Sequence, residues 1–312
     1  MYDMHYDLLT YILIKHDDEA FLRELCNQIY RNDNIVGGII NSYYTTPKEM
    51  AEVGLNPQNV VQDIKIVNDI IERNDLLPNP GNFIKAIEGC DLVSINQLEE
   101  LYDLGIRVLL PVYSHDNKYG GGCKGTYKGL TSLGEDFVRK AINLGFAIDI
   151  SHAGYETAND MLDIAKSMKN EGYKPIVMAS HSNVYNLTPM ARNLPDEIFL
   201  KLKELDGIVG ILALKSFCYN GEDKTPDYAE YFIKHLQYII NLIGPEHVCI
   251  ASDNMAYDPD KSYLADSLYD INTFADNVRD NLKKHDFSDE VIGKILYENF
   301  ENKVLKKLKT II

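Results

Sequence analysis

The 312-residue chain contains no tryptophan, and its five cysteines (Cys26, Cys90, Cys123, Cys218, Cys249) lie far apart with no C-x-x-C pair. An odd, scattered set argues against a disulfide framework and fits a reducing compartment. Positive charge is scarce: 31 Lys and Arg stand against 47 Asp and Glu, for a formal net charge of -16. Nucleic acid and anionic membrane are therefore poor partners. The acidic residues are spread along the chain rather than gathered in a tail, which points to solubility. No apolar run approaches the roughly 20 residues of a membrane-spanning helix. Neither end carries a recognisable secretory or anchor signal, so the expectation is a globular, cytoplasmic protein. No G-x-G-x-x-G or Walker sequence occurs, and nucleotide binding has no support.

What is present is alternation. Short, β-branched apolar runs mark strand candidates at Tyr2–His5, Ile35–Ser42, Phe83–Glu88, Arg107–His115, Phe146–His152, Pro175–His181, Gly207–Leu214 and His247–Asp253. Between them, segments with helical spacing cover Asp17–Tyr30, Asn59–Ile71, Ile95–Tyr102, Glu135–Leu144, Tyr155–Met168, Asp196–Leu205 and Tyr228–Leu242. Two further helices, near Ile271–Lys284 and Asp289–Leu308, follow the last strand. Eight strands interleaved with helices predict a (β/α)8 TIM-type barrel, one α/β domain over residues 1–312 with C-terminal helices at about 271–308. A doubly wound sheet would show fewer strands and a Gly-rich phosphate turn.

Active sites of such barrels lie at the C-terminal ends of the strands. The strand candidates end in His5-x-Asp7, Glu88-Gly89, Ser114-His115, Ser151-His152, Ser180-His181 and Ser252-Asp253, six of the eight. Any one has a bland explanation: a lone strand-end histidine is commonly a rim residue, and Asp253 could cap a turn. All six together do not. Residues two apart on a strand share a face, so His5 and Asp7 can reach one ion. Imidazole and carboxylate are good zinc ligands, and the two oxygens of Glu88 can bridge. His5 and Asp7 on one side, Glu88 between, and His152 and His181 on the other would make a two-metal site. The ions would polarise a carbonyl and lower the pKa of a bridging water. His16, His235, His247 and His285 have helical or loop surroundings and no expected role.

The most specific stretches are Gly129-Leu-Thr-Ser-Leu-Gly-Glu-Asp-Phe-Val-Arg139, Asn143-Leu-Gly-Phe-Ala-Ile-Asp-Ile-Ser-His152, Ser180-His-Ser-Asn183 and Ala191-Arg-Asn-Leu-Pro-Asp196. Through them the chain resembles the membrane (renal) dipeptidases, dinuclear zinc peptidases on an amidohydrolase-type barrel, over essentially its whole length. The resemblance implies two Zn2+ held by His5, Asp7, His152 and His181, with Glu88 bridging. It implies substrate contacts from His115 and Arg192, and a catalytic acid at Asp253. It also implies a reaction: a metal-bridging hydroxide attacks the peptide carbonyl of a free dipeptide, L,L or with a D-residue at the C-terminal side. Asp253 would pass the water proton to the leaving amine, and His115 would orient the scissile group. A homodimer is the assembly the family suggests.

There are departures from the family pattern. Asp253-Asn-Met-Ala256 stands where Asp-Phe-Asp-Gly is common, and Gly89-Cys90 replaces Gly-Gly. The tryptophan often found near the substrate pocket is missing. The ligands are intact and the pocket lining is altered. Two other readings stay open: a different metal-dependent amidase or deacylase acting on modified amino acids, and a catalytically silent binding homologue.

Overall fold

A computed structural model of the protein describes residues 1–30, 34–44, 50–51, 59–126, 128–222, 225–254, 266–270 and 273–309. Eight strands run β1 (Tyr2–Tyr6), β2 (Gly37–Tyr43), β3 (Phe83–Glu88), β4 (Ile106–Leu110), β5 (Ala147–Asp149), β6 (Ile176–Ala179), β7 (Ile208–Leu212) and β8 (Val248–Ala251). They pair in parallel, each with the next, and β1 pairs with β8 to close the barrel. The expected (β/α)8 architecture is what forms.

Parallel neighbours need a crossover, and helices supply it. Val60–Asn74 shows why these segments are helical: Val60, Val61, Ile64, Val67, Ile70 and Ile71 fall three or four apart and are buried. The Asn59 side chain caps its start by accepting from the Val61 and Gln62 N–H groups. Thr131 caps Ser132–Leu144 in the same way, and Gly145 ends that helix at φ 93°. Two crossover helices were not expected, the single turn Lys215–Cys218 after β7 and a longer one after β1. Leu8–Ile14 follows β1 after a single residue, and its apolar sequence Leu-Leu-Thr-Tyr-Ile-Leu-Ile carries no polar stripe to reveal the period. The helix expected near Ile271 spans Phe274–Lys284, with 271–272 outside the described residues.

Apolar residues pack in two layers. One lies between the strands and the helices. The other fills the barrel, where Met4, Ile39, Ala86, Val108, Ala147, Met178 and Leu212 meet Phe300, Val304, Leu305 and Leu308 of the last helical stretch. That stretch, Asp289–Lys309, includes π-helical segments at Lys294–Glu298 and Glu301–Leu305. It packs on the barrel core from the N-terminal side, since Phe300 stacks on Tyr2 at the start of β1. The opposite end, where the strands finish, is left for chemistry. All five cysteines are free thiols, four of them buried and Cys123 partly so. Among the described residues no helix is long and apolar enough to cross a membrane.

Candidate metal centre

Local backbone features aim the side chains at the barrel mouth. β1 carries an extra residue relative to β2 between Asp3 and Tyr6, and such a bulge redirects side chains. Met4 thus joins the barrel interior and Tyr6 the outer layer, with His5 turned to the axis between them. Asp7 lies just past β1, and its N–H is held by the Asn254 carbonyl at 3.2 Å. Glu88 is the last residue of β3, followed by Gly89 at φ 78°. A Cβ on Gly89 would sit 2.0 Å from the Tyr44 carbonyl oxygen, so only glycine lets the chain turn there. His152 (φ 67°) and Asp253 (φ 51°) adopt the left-handed conformation just beyond β5 and β8. Non-glycine residues held there are uncommon and cluster at functional sites.

The result is a compact knot of donors. His5 Nε2 lies 3.3 Å from Glu88 Oε2, 3.6 Å from Asp7 Oδ1 and 3.7 Å from Asp253 Oδ1. The other Glu88 oxygen, Oε1, lies 3.1 Å from His152 Nε2 and 3.4 Å from His181 Nε2. Glu88 therefore faces one histidine with one oxygen and two with the other. Three overlapping groups hold ligand atoms within 4.8 Å of one another: His5–Asp7–Glu88, Glu88–His152–His181 and His5–His181–Asp253. The first two share Glu88.

Electrostatics favour a cation here. Burial, then the Arg192 charge, drives His152 down to about 3, and burial with His5 and Arg192 drives His181 well below its usual value. Both are neutral imidazoles, the form that binds metal. Burial would push Glu88 up, but His5, His152 and His181 around it hold it well below the carboxylate range. Burial opposes charge on His5, yet Glu88 and Asp7 outweigh it and raise this imidazole. Burial, reinforced by Asp7 and Glu88, pushes Asp253 up to about 8.

The donor set fits divalent metal. His5 Nε2, Asp7 Oδ1 and Glu88 Oε1 are buried without a hydrogen-bond partner, which is costly unless something else engages them. Asp3, Asp7, Glu88 and Asp149 are buried carboxylates that all feel His5, and Asp7, Glu88 and the Arg192 guanidinium act on Asp253. Imidazole-nitrogen and carboxylate-oxygen donors on both sides of the Glu88 carboxylate suit a divalent ion.

The family profile described as membrane dipeptidase (peptidase family M19) matches residues 60–311. This chain belongs to that family. Dipeptidase aclJ of Aspergillus oryzae is 28% identical over 224 residues, covering 69% of this chain and 50% of that protein. A protein from the pqqA 5' region of Klebsiella pneumoniae is 28% identical over 211 residues, 65% of this chain and 73% of its own length. The matched part thus spans half the length of the Aspergillus protein. A Rhodobacter sphaeroides metallo peptidase, liganded with a phosphinate mimic of L-Ala-D-Ala, shares the fold at a TM-score of 0.74 and 19% identity, covering 100% of this chain and 99% of that one. The dipeptidase AC structure, also of family M19, matches at 0.73 and 20% identity over 99% and 97%. His5 and Asp7 precede the profile match, so their place in the centre of this membrane dipeptidase family member rests on geometry.

The other residues singled out in the sequence divide. Arg192 is buried, donating to the Ser182 hydroxyl (3.2 Å) and the His181 carbonyl (2.9 Å), and its Nε is unpartnered. Asp253 joins the cluster, with its side chain 23% exposed. His115 is exposed, five residues past the end of β4, and is not among the convergent ligand groups. Its neighbour Ser114 reaches inward, 2.9 Å from His152 Nδ1. Tyr113 stacks on the His152 ring with centroids 4.1 Å apart.

Sequence reasoning overlooked two buried carboxylates. Asp3 Oδ1 accepts from the His5 and Ser252 N–H groups, and Asp149 Oδ1 from those of Ser151 and Ser180. Each ties neighbouring strand ends together directly beside a site residue. The only sequence signal was an acid two or three positions before the site histidine. Asn254, where the family commonly has Phe, is buried and fixes Asp7 through its carbonyl; Met255 and Ala256 lie outside the described residues.

Proposed function

We propose that this protein is a zinc-dependent dipeptidase, with His5 and Asp7 on one side of Glu88 and His152 and His181 on the other as the ligands of two ions. The observation that carries the reading is the two-faced Glu88 carboxylate, with His5 against one oxygen and His152 and His181 against the other. Ions bound there would supply Lewis acidity toward a carbonyl and toward water. The relatives named as dipeptidases support the choice of a peptide bond as the target.

The protein's own groups do the rest. Arg192 has Nη1 and Nη2 each anchored on the protein, which fixes the guanidinium plane and leaves Nε–H and the second N–H of each Nη for a substrate carboxylate. Asp253 takes the proton of the attacking water and returns it to the leaving amine; cations bound beside it would draw its pKa down from about 8 and keep it ionised for that role. His115 is assigned to substrate contact at the rim. Dipeptides are preferred because a longer chain leaves one buried charged group unmatched, at a cost of roughly 1–3 kcal/mol or more.

The test is amino-acid release from a panel of L,L- and L,D-dipeptides and matched tripeptides, with added zinc and with chelator. Chelator-sensitive cleavage of dipeptides alone is expected. A folded, zinc-loaded sample that cleaves none of them contradicts the proposal.

A further inference from the structure

Directly beneath the ligands the barrel interior turns polar. Strand alternation puts Ile39 of β2, Ala147 of β5 and Met178 of β6 inside, so Asn41, Asp149 and Ser180, each two residues on, form the next interior layer. All three are buried. Gly210 of β7 faces the same layer, where a Cβ would lie 1.9 Å from the Ser180 carbonyl oxygen and 2.8 Å from Met4 Cβ. The absence of a side chain there makes room for Ser180.

Ser180 touches both halves of the metal centre. Its Oγ lies 2.7 Å from His181 Nδ1 and 3.2 Å from His5 Nδ1. Histidines that meet a metal through Nε2 carry their proton on Nδ1 and need an acceptor for it. A serine hydroxyl has two lone pairs, one for each imidazole, and one proton to give away. Asp149 is the acceptor at hand: its Oδ1 already holds the Ser180 N–H at 3.0 Å and its Oδ2 is buried without a hydrogen-bond partner; burial raises this carboxyl overall, and the Ser180 hydroxyl works against that rise. Ser151 Oγ, at 3.5 Å, is the more distant alternative. Asn41 Nδ2 lies 3.1 Å from His5 Nδ1 while its Oδ1 is unpartnered, so a half-turn of the amide adds a second acceptor for His5.

We propose that Ser180 is a positioning residue shared by both metal sub-sites, accepting the Nδ1 protons of His5 and His181 and donating its own to Asp149. The single hydroxyl fixes the tautomer and the angle of one ligand on each side of Glu88, which couples the two ions. This rests on the metal-binding reading of the cluster.

The experiment is a zinc titration of metal-free protein against a chromophoric chelator, for the wild type, Ser180→Ala, Asp149→Asn and Ser151→Ala. Ser151 is the control: its hydroxyl receives the His181 backbone N–H at 3.1 Å but reaches no imidazole. Ser180→Ala should weaken both ions by about 10- to 100-fold, Asp149→Asn should follow in the same direction, and Ser151→Ala should stay within about threefold. Wild-type affinity in Ser180→Ala, or loss at one ion only, overturns the shared role. A wild type that binds no zinc defeats the metal reading instead, so the two failures are distinguishable. Should Ser180→Ala not fold, the zinc-loaded wild type still decides: long-range 1H–15N spectra must show His5 and His181 protonated at Nδ1, and an Nε2-protonated form of either ring overturns the proposal.

Discussion

His152 and His181 turn their Nε2 atoms to within 2.9 Å of each other, and one oxygen of Glu88 lies within 3.4 Å of both. Both rings are held neutral by burial and by nearby positive charge. At most one proton can sit between two such nitrogens, so the arrangement is satisfied far better by a cation that accepts both lone pairs.

Removing one of these rings should abolish function without undoing the fold. His181→Ala is expected to lose at least about 100-fold in turnover, the scale on which one transition-state donor is felt. Its far-UV circular dichroism should match the wild type. Retained dipeptidase activity would sink the ligand assignment.

The proposed bridging by Glu88 makes a sharper prediction. Glu88→Gln keeps the shape but removes the charge that faces His5, His152 and His181. Zinc content measured by plasma mass spectrometry should fall on both sides of the bridge, to well under two ions per chain. Two tightly held ions in that variant would mean that the carboxylate does not bridge.

Gly89 sets where Glu88 points. Alanine there would meet the Tyr44 carbonyl at 2.0 Å and would have to adopt φ 78°. The strain should cost well over about 1 kcal/mol in a urea titration, and zinc affinity should drop with it. An unchanged urea midpoint would show that the turn is looser than its geometry implies.

Arg192→Lys keeps the charge but not the fork that grips Ser182 and the His181 carbonyl. For a dipeptide substrate KM should rise by about 10-fold or more, with a smaller change in kcat. The opposite split would move Arg192 from binding to the chemical step.

His235 contributes to acid sensitivity away from the site. Its Nδ1 accepts the Val184 N–H at 3.1 Å, its Nε2 lies 3.1 Å from the Cys218 carbonyl, and burial lowers its pKa to about 4. Between about pH 6.5 and 4 the unfolded chain takes up a proton that the folded chain refuses. Stability should therefore fall as pH drops through that window, by roughly 3 kcal/mol from this residue alone. With chelator present throughout, His235→Asn should show a shallower loss of thermal midpoint over that range than the wild type. Equal slopes would assign the acid sensitivity elsewhere.

Much of this was legible in the sequence because buried parallel strands are short apolar runs, and the residues that end them gather at one mouth of the barrel. Glu88, His152, His181 and Asp253 could be read this way. The strand with His115 was read too long: β4 stops at Leu110, before Pro111, which has no N–H to offer the ladder. The five-residue excursion that follows leaves His115 exposed and turns Ser114 inward. Asp3 and Asp149 were invisible because their role depends on which strand lies next door, and one chain read in order does not show register. The bulge in β1 was hidden for the same reason, and it, rather than simple alternation, brings His5 to the axis. Family likeness supplied the roles of Arg192 and Asp253, while their burial and partners are structural.

The most direct measurement is anomalous scattering at the zinc edge from crystals of zinc-loaded protein. The account predicts two peaks, one on each side of the Glu88 carboxylate, the first against His5 and Asp7 and the second against His152 and His181. No peak at the strand ends, or a single peak that leaves one Glu88 oxygen without a metal, would contradict it.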